Sequence, residues 1–317
     1  MPLYLTESEV AELLTPADAL DAVEGSFRRL AAGEVENVPR QRTRFEEGAL
    51  AVMWAVDHEL GLAGVKTYAA GSANATFVVL LFETETQTAV AVIEADKLGQ
   101  LRTGAASGVA TKLMAKPDAR TLGMIGVGRQ SRTQAIAVCA VRPIKRVNVF
   151  ARTPASREAY ARSLEKELGI EVRAAPSAEA CVVDADVVVT ITKSAEPVCR
   201  AEWLAKGAHV NAAGANAGDR REVDGETVLR AAVKVTDHLE QARLEAGEFR
   251  DLVAGSQLRW SDIHELGDVV TGKVKGRTSP NDLTLFKSLG IALEDMAFGE
   301  LVYQRALAAG VGKPMPI

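Results

Sequence analysis

The chain has 317 residues, of which 47% are hydrophobic and 25% are charged, and its formal net charge at pH 7 is −5. These values are ordinary for a folded globular protein and exclude the disordered, fibrous and membrane classes. The acidic balance gives no chain-wide electrostatic footprint for nucleic acid, so we expect a small-molecule partner instead.

The cysteines, the histidines and the N-terminal residues bear on metal binding and on cellular location. Cys139, Cys181 and Cys199 are odd in number and lack paired spacing, and the four histidines show no ligand spacing, so we expect buried free thiols and no metal site. The first residues carry acids where a secretory signal carries basic residues, and no run of about 18 apolar residues occurs. We therefore expect a cytoplasmic protein with no membrane partner.

The first third of the chain predicts a helix followed by a mainly antiparallel sheet. Thr15 can cap a helix that begins at Pro16 and ends at Gly33, with Val23 and Phe27 on its apolar face. Short β-type runs follow, separated by turn residues, at 49–55, 64–68, 77–82 and 89–93. The segment 101–116 is then predicted as a helix of small residues.

Beyond Pro117 the pattern changes to alternating strands and helices, so we place a domain boundary there. The predicted strands are 121–125, 146–150, a short one at Val172, 187–192, 209–213 and 233–236. The predicted helices are 130–141, 156–168 and 201–205, followed by a long amphipathic helix at 285–308. This alternation predicts an α/β fold with a doubly wound parallel sheet covered on both faces.

A glycine pair between the first of these strands and the next helix indicates a dinucleotide site. Gly126 permits a tight turn, and Gly128 lets main-chain N–H groups approach a pyrophosphate at the positive end of the helix. Ser131 stands where a third glycine is usual. We also assign Arg129 and Gln130 of this loop, and Thr190 in the strand 187–192, to cofactor binding.

The end of the second strand favours NADP(H) over NAD(H). An NAD-selective enzyme usually presents an acid to the adenosine ribose at this point. Here the strand is followed by Arg152 and Thr153, which can bind a 2'-phosphate through a planar guanidinium and a hydroxyl. We therefore predict preference for NADP(H), with NAD(H) possible.

Several ordered motifs resemble those of the ornithine cyclodeaminase/mu-crystallin family, which includes cyclodeaminases, amino-acid dehydrogenases and ketimine reductases. The resemblance covers nearly the whole chain. It rests on GVKTY at 64–68, LRTGAAS at 101–107, GVGRQS at 126–131, HVNAAGAN at 209–216 with REVD at 221–224, and LFKSLG at 285–290 with ED at 294–295.

This resemblance implies a Rossmann domain, at 118–291, inserted into an α+β substrate-binding and dimerisation domain at 1–117 and 292–317. It also implies a homodimer in which the sheet of the substrate domain pairs with that of another subunit. The substrate, a small carboxylate or amino-acid-like molecule, is expected between the domains near the nicotinamide.

The family pattern also implies roles for residues of the first domain. Lys66 ends a short strand, where a partly desolvated ammonium can donate a proton to an imine nitrogen or hold a carboxylate. Arg42 matches the family arginine that binds the substrate α-carboxylate, and Arg40 is the competing choice. Arg102 and Thr103, at a predicted helix start, resemble the contact with the cofactor diphosphate.

Two further positions bear on the reaction. Ser288, before the last helix, is a candidate contact for nicotinamide or substrate. Asn216 stands where the cyclodeaminases of the family carry an aspartate, and a neutral amide cannot act as a general base. Asn216 therefore disfavours ornithine cyclisation and can instead orient the nicotinamide carboxamide.

The leading hypothesis is an NAD(P)H-dependent imine reductase or amino-acid dehydrogenase acting on a small 2-imino or 2-oxo carboxylate, with Lys66, Arg42 and Asn216 in the catalytic site. An ornithine or lysine cyclodeaminase that releases ammonia is the alternative. A third hypothesis is a non-catalytic NADP(H)-dependent binding protein, as the mu-crystallin resemblance allows.

Overall fold

The computed structural model describes residues 1–71 and 74–316. The chain divides into two compact units, of which the first combines Met1–Arg102 with Gly290–Ile317 and the second is Thr103–Leu289. The second unit is inserted into the sequence of the first. The divisions fall at 102/103 and 289/290 rather than at 117/118 and 291/292, because Pro117 marks the end of a helix whereas the packing changes inside that helix.

The first unit is built on a strand-rich sheet. Its strands, numbered along the chain, are β1 (Leu3–Leu5), β2 (Val35–Phe45), β3 (Gly48–Asp57), β4 (Leu62–Gly71), β5 (Ala75–Glu83), β6 (Thr88–Glu94) and β15 (Lys313–Pro314). They form a sheet in the order β15-β1-β6-β5-β4-β3-β2. Only the β1–β6 pair among the described strands of this sheet is parallel, so the predicted, mainly antiparallel sheet is confirmed.

Helices α1 (Glu7–Leu13), α2 (Pro16–Ala32) and α11 (Ala292–Ala309) complete the first unit. Thr15 caps α2 through a capping box with Asp18, and Gly33 ends the helix in the left-handed region with φ of 79°. The long α11 packs against α2 and across strands β2 to β5. Met53 and Val79, on the inner face of the sheet, are therefore fully buried.

The second unit is a parallel α/β sheet. Its strands are β7 (Thr121–Ile125), β8 (Arg146–Phe150), β9 (Glu171–Ala174), β10 (Val187–Thr190), β11 (His209–Ala212), β12 (Val233–Thr236), β13 (His264–Glu265) and β14 (Thr284–Lys287). They lie in the order β13-β12-β14-β11-β10-β7-β8-β9, and all the pairs are parallel. The strand order reverses between β7 and β10, which is the switch point of a Rossmann sheet, so the predicted fold class is confirmed.

Helices cover both faces of this sheet. They are α3 (Asp96–Met114), whose first part belongs to the first unit, α4 (Ser131–Val141), α5 (Pro154–Leu168), α6 (Ala178–Val182), α7 (Gly225–Arg230), α8 (Leu239–Glu245), α9 (Gly247–Ala254) and α10 (Leu266–Val270). Val187 and Val189 belong to one apolar cluster and Val188 to another, which confirms burial on both faces. Among the described residues, no helix is long and apolar enough to cross a bilayer.

The predicted helix at 285–308 is wrong in its first part. Thr284–Lys287 forms β14, which lies between β11 and β12, and helix α11 begins only at Ala292. Gly290, with φ of 74°, separates the two elements. The error arose because a short, fully buried apolar run such as Leu285-Phe286 has no periodicity that distinguishes strand from helix.

Candidate active site

The loop after β7 has the geometry that a dinucleotide needs. Gly126 has φ of 114°, and a Cβ atom there would lie 2.4 Å from the carbonyl oxygen of Ile191. Gly128 faces open space, since a Cβ atom would meet nothing within 4 Å. Ser131 begins α4, and its hydroxyl donates to the Gly128 carbonyl at 2.6 Å. The open loop at a helix N-terminus fits a pyrophosphate.

The other predicted residues of the second unit follow the carboxyl ends of neighbouring strands. Arg152 and Thr153 follow β8 and are exposed, Asn216 lies in the loop after β11, and Ser288 follows β14. Arg129 and Gln130 complete the glycine loop. Because the strands are parallel, all of these positions share one edge of the sheet, where open α/β sheets bind ligands.

Three predicted cofactor residues are buried. Thr190 is fully buried, and no described group hydrogen-bonds its hydroxyl. Ser288 is 2% exposed and Thr103 is 5% exposed, and the carbonyl of Thr103 accepts a hydrogen bond from Gln134 Nε2 at 3.0 Å.

The first unit contains a buried cluster of charged groups, which we call the cationic cluster and define as Arg40, Lys66, Arg102, Glu294 and Asp295. Lys66 Nζ lies 2.5 Å from Asp295 Oδ1. Arg102 Nε lies 3.1 Å from the same oxygen, and Arg102 Nη1 lies 3.0 Å from Glu294 Oε2. All five residues are buried.

Strand, helix and turn each contribute to the cationic cluster. Lys66 is on the inner face of β4, and Glu294 and Asp295 are in the first turn of α11. Arg40, on β2, donates from Nη2 to the Gly290 carbonyl at 2.7 Å. A Cβ atom at Gly99 would lie 3.0 Å from Lys66 Nζ, so a small residue in α3 leaves room for the ammonium.

The cationic cluster joins buried charges of both signs. Its cations are Arg40, Lys66 and Arg102, and its acids, Glu294 and Asp295, pair with Arg102 and Lys66. Burial, reinforced by Arg102 and Arg40 and opposed by Asp295, lowers the pKa of Lys66 to about 8. Burial also disfavours the Arg102 cation, but Asp295 and Glu294 outweigh it and raise its pKa.

The predicted positions of two arginines can be compared with the structure. Arg40 belongs to the cationic cluster, whereas Arg42, which the family resemblance favoured for the substrate carboxylate, lies two residues further along β2 and is partly exposed. Arg102 and Thr103 are not at a helix start, because α3 begins at Asp96. The carboxylate of Glu7 accepts hydrogen bonds from the main-chain N–H groups of Asp96 and Lys97, which fixes the N-terminus there.

Glu294 and Asp295 belong to one of the family motifs, but no role was predicted for them. A signal was present, since these two adjacent acids interrupt an otherwise apolar stretch at 291–299. Both are at most 1% exposed, and an acid on a buried helix face requires a cationic partner. That partner is Lys66 or Arg102.

The buried histidine of the parallel sheet is structural. Burial lowers the pKa of His209 to about 3, so the ring is neutral, and it is hydrogen-bonded to Thr284 Oγ1 and Asn211 Oδ1. No group of three metal-ligating side chains occurs among the described residues.

A parallel sheet with a glycine turn at its switch point defines an enzyme of the Rossmann class. The family model of the ornithine cyclodeaminase/mu-crystallin family matches residues 2–310, so the chain belongs to this family. Alanine dehydrogenase of Archaeoglobus fulgidus is 35% identical over 319 residues, which cover 98% of this chain and 97% of the relative.

Solved structures agree with this assignment. Thermococcus litoralis Δ1-pyrroline-2-carboxylate reductase in complex with NADH and L-proline matches with a TM-score of 0.95 and 32% identity, covering 99% of this chain and 100% of that one. An archaeal alanine dehydrogenase dimer with bound NAD matches with a TM-score of 0.93 and 33% identity, covering 99% of each chain.

Proposed function

We propose that the protein reduces a small 2-imino carboxylate, such as a cyclic ketimine acid, to the corresponding amino acid, and catalyses the reverse oxidation. The observation that carries this proposal is the buried Lys66 ammonium, which lies 2.5 Å from Asp295 Oδ1 and whose pKa of about 8 suits proton transfer near neutral pH. The named relatives, an alanine dehydrogenase and a pyrroline-2-carboxylate reductase, support it.

In the proposed reaction, Arg40 binds the substrate carboxylate through its planar guanidinium. The Lys66 ammonium donates one proton to the imine nitrogen, and the substrate carbon receives one hydride, so that C=N becomes CH–NH. Neutral Lys66 then regains a proton from solvent. Asp295 holds the Lys66 ammonium in place through the 2.5 Å contact.

The coenzyme that fits the glycine loop is a nicotinamide dinucleotide, which supplies or accepts the hydride. We propose that NADP(H) is preferred and NAD(H) is accepted. Arg152 and Thr153 are exposed after β8, and residues 146–153 contain no acid that would repel a 2'-phosphate. The two related structures contain NADH and NAD, so the proposed preference for NADP(H) is based on Arg152 and Thr153 of this chain and not on the relatives.

We further propose that the chain forms a homodimer through the outer face of the antiparallel sheet. Leu50 and Trp54 point away from the buried face and are 45% and 37% exposed. Val52 lies between them on the same face and is partly exposed, so the apolar surface is continuous along β3. The dimer of the related archaeal enzyme supports this assembly.

The test is a screen of NADPH and NADH oxidation at 340 nm over preformed cyclic ketimine acids, and over 2-oxo acids with ammonia or amines. We expect stoichiometric oxidation with at least one imine. Ornithine and lysine serve as controls, with ammonia measured separately. Ammonia release without a net change at 340 nm would favour the cyclodeaminase activity that the neutral Asn216 argues against. Tight ligand binding with no turnover on any substrate would overturn the enzymatic proposal.

A further inference from the structure

A buried carboxylate joins two loops at the ligand-binding edge of the parallel sheet. Glu222 Oε1 accepts from the main-chain N–H and the hydroxyl of Thr192, at 2.6 and 2.7 Å. Glu222 Oε2 accepts from the N–H groups of Gly214 and Ala215, at 2.5 and 3.1 Å. One side chain therefore fixes the loop after β10 to the loop after β11.

A buried lysine holds the same loop from the other side. Lys287 Nζ donates to the Ala215 carbonyl at 2.7 Å and lies 3.0 Å from Glu248 Oε1. Glu248 Oε1 also accepts the main-chain N–H of Glu222 at 3.0 Å. Both the N–H and the carbonyl of Ala215, the residue before Asn216, are thus bound by charged side chains. We call Glu222, Lys287 and Glu248 the loop-holding triad.

Stability alone does not explain this arrangement. Glu222 and Lys287 are fully buried and Glu248 is 4% exposed. Desolvation raises the pKa of Glu222, although Lys287 and the Thr192 donors oppose it. Replacing buried ion pairs by apolar side chains is often neutral or stabilising, so a buried charged triad is weak evidence for a stabilising role. Its contacts converge on the segment that presents Asn216.

The loops after β10 and β11 also pack closely against each other, which restricts the main chain of both. A Cβ atom at Gly214 would lie 2.2 Å from the Thr192 nitrogen, so the main chains touch at this point. Asn216 follows two residues later and is partly exposed at the same edge of the sheet as the glycine loop. A fixed main chain at Ala215 therefore limits the positions that the Asn216 amide can take.

We infer that the loop-holding triad consists of positioning residues, which hold Asn216 so that its amide hydrogen-bonds the nicotinamide carboxamide in one orientation. This inference rests on the proposed use of a nicotinamide dinucleotide. It predicts that weakening the triad impairs recognition of the nicotinamide half of the coenzyme more than recognition of the ADP-ribose half, because the described hydrogen bonds of Glu222 go to residues 192, 214 and 215 and not to the glycine loop itself or to the end of β8.

The test compares Glu222→Gln with the wild type and with Glu226→Gln, which removes the same charge from an exposed position on α7. Glutamine places an NH2 group against main-chain N–H donors, so one loop contact is lost. The dissociation constant of NADPH is measured by fluorescence and that of 2'-phospho-ADP-ribose by calorimetry, with NADH and ADP-ribose as the second pair. For Glu222→Gln we expect at least a tenfold loss of affinity for the reduced coenzyme and less than a twofold change of affinity for the ADP-ribose fragment. Glu226→Gln should change neither affinity.

Asn216→Ala tests whether the triad acts through the Asn216 side chain. If Glu222 acts through Asn216, the double variant should bind the reduced coenzyme about as weakly as the weaker single variant, rather than showing the sum of the two losses. Lys287→Met tests the triad independently, should Glu222→Gln fail to fold, and the same selective loss is expected.

The inference would be overturned if Glu222→Gln lost the same affinity for the coenzyme and for the fragment, or lost affinity for neither. The triad would then serve folding alone. Additive effects of Glu222→Gln and Asn216→Ala would also overturn the inference. These readouts need no substrate. Failure of the proposed reaction would instead appear as absent imine turnover in a wild-type protein that binds the coenzyme normally.

Discussion

Lys66 Nζ and Arg102 Nε lie 2.5 and 3.1 Å from one and the same oxygen, Asp295 Oδ1. Two buried cations therefore share one carboxylate oxygen, and the permanently charged guanidinium competes with the ammonium for it. This competition adds to burial in lowering the pKa of Lys66 to about 8. A lysine that titrates there changes its charge within the range of ordinary enzyme assays.

The rate of imine reduction should fall as pH rises through about 8. Because the folded-state pKa of Lys66 lies below its ordinary value, the proton-donating form is present below about pH 8 and is lost above it. The oxidative direction needs the neutral amine, so its rate should rise over the same window. Profiles of kcat/KM against pH in both directions check this. Parallel profiles in the two directions would contradict the role of Lys66.

Lys66→Met should lower kcat/KM for imine reduction by about 10² to 10⁴-fold, the usual contribution of a general acid. The methionine side chain keeps most of the volume, so the coenzyme affinity should stay unchanged. Lys166→Met, on the exposed face of α5, is the matched control. Full turnover by the Lys66 variant would remove the proposed mechanism.

Arg40 and Arg42 differ in burial, and substitution should separate their roles. Loss of a hydrogen bond to a charged group costs about 1.5–3 kcal/mol, so Arg40→Gln should raise the substrate KM by about 10 to 100-fold. Arg42→Gln, two residues further along β2, should change it less than threefold. Steady-state kinetics with a thermal melt of each variant is the measurement. The reverse ranking would restore the original assignment to Arg42.

Arg152→Ala should lower kcat/KM for NADPH by about 10 to 100-fold and leave that for NADH within twofold, since only NADPH carries the 2'-phosphate. Arg162→Ala, further along the exposed face of α5, controls for the loss of a surface cation. Kinetics with both coenzymes at a fixed imine concentration gives the ratio. A wild-type protein that uses NADH as well as or better than NADPH would refute the assignment.

Trp54→Lys should shift the protein from dimer to monomer in sedimentation velocity, because a charge on the apolar outer face of the sheet opposes close packing of a second copy. Glu85→Lys, at the exposed turn between β5 and β6, introduces the same charge outside this face. An unchanged dimer in the Trp54 variant would show that the interface lies on another surface. A monomeric wild type would refute the dimer itself.

The fold class could be predicted because the signals were local. The strand at 121–125, the glycines at 126 and 128 and the helix that follows define a Rossmann start by their order alone. The position of Thr284–Lys287 could not be read in the same way. This segment is a strand because it pairs with β11 on one side and β12 on the other, and both lie far away in the sequence.

Part of the cationic cluster could be predicted from the sequence. Lys66 was singled out from its motif and its strand, and its burial, which lowers its pKa, follows only from the packing. The choice between Arg40 and Arg42 depended on register, and both point to the same face of β2, so only the packing around each side chain separates them. Asp295 remained without a role because its partner is 229 residues away.

The position of β14 has a consequence for how the chain folds as it leaves the ribosome. This strand lies between β11 and β12 but follows both in the sequence, so neither can complete its pairing until residue 287 has emerged. Nascent chains that end earlier hold two open strand edges, and such edges invite aggregation. The parallel sheet therefore completes its pairing late in synthesis, and fragments truncated before residue 284 should depend on chaperones to remain in solution.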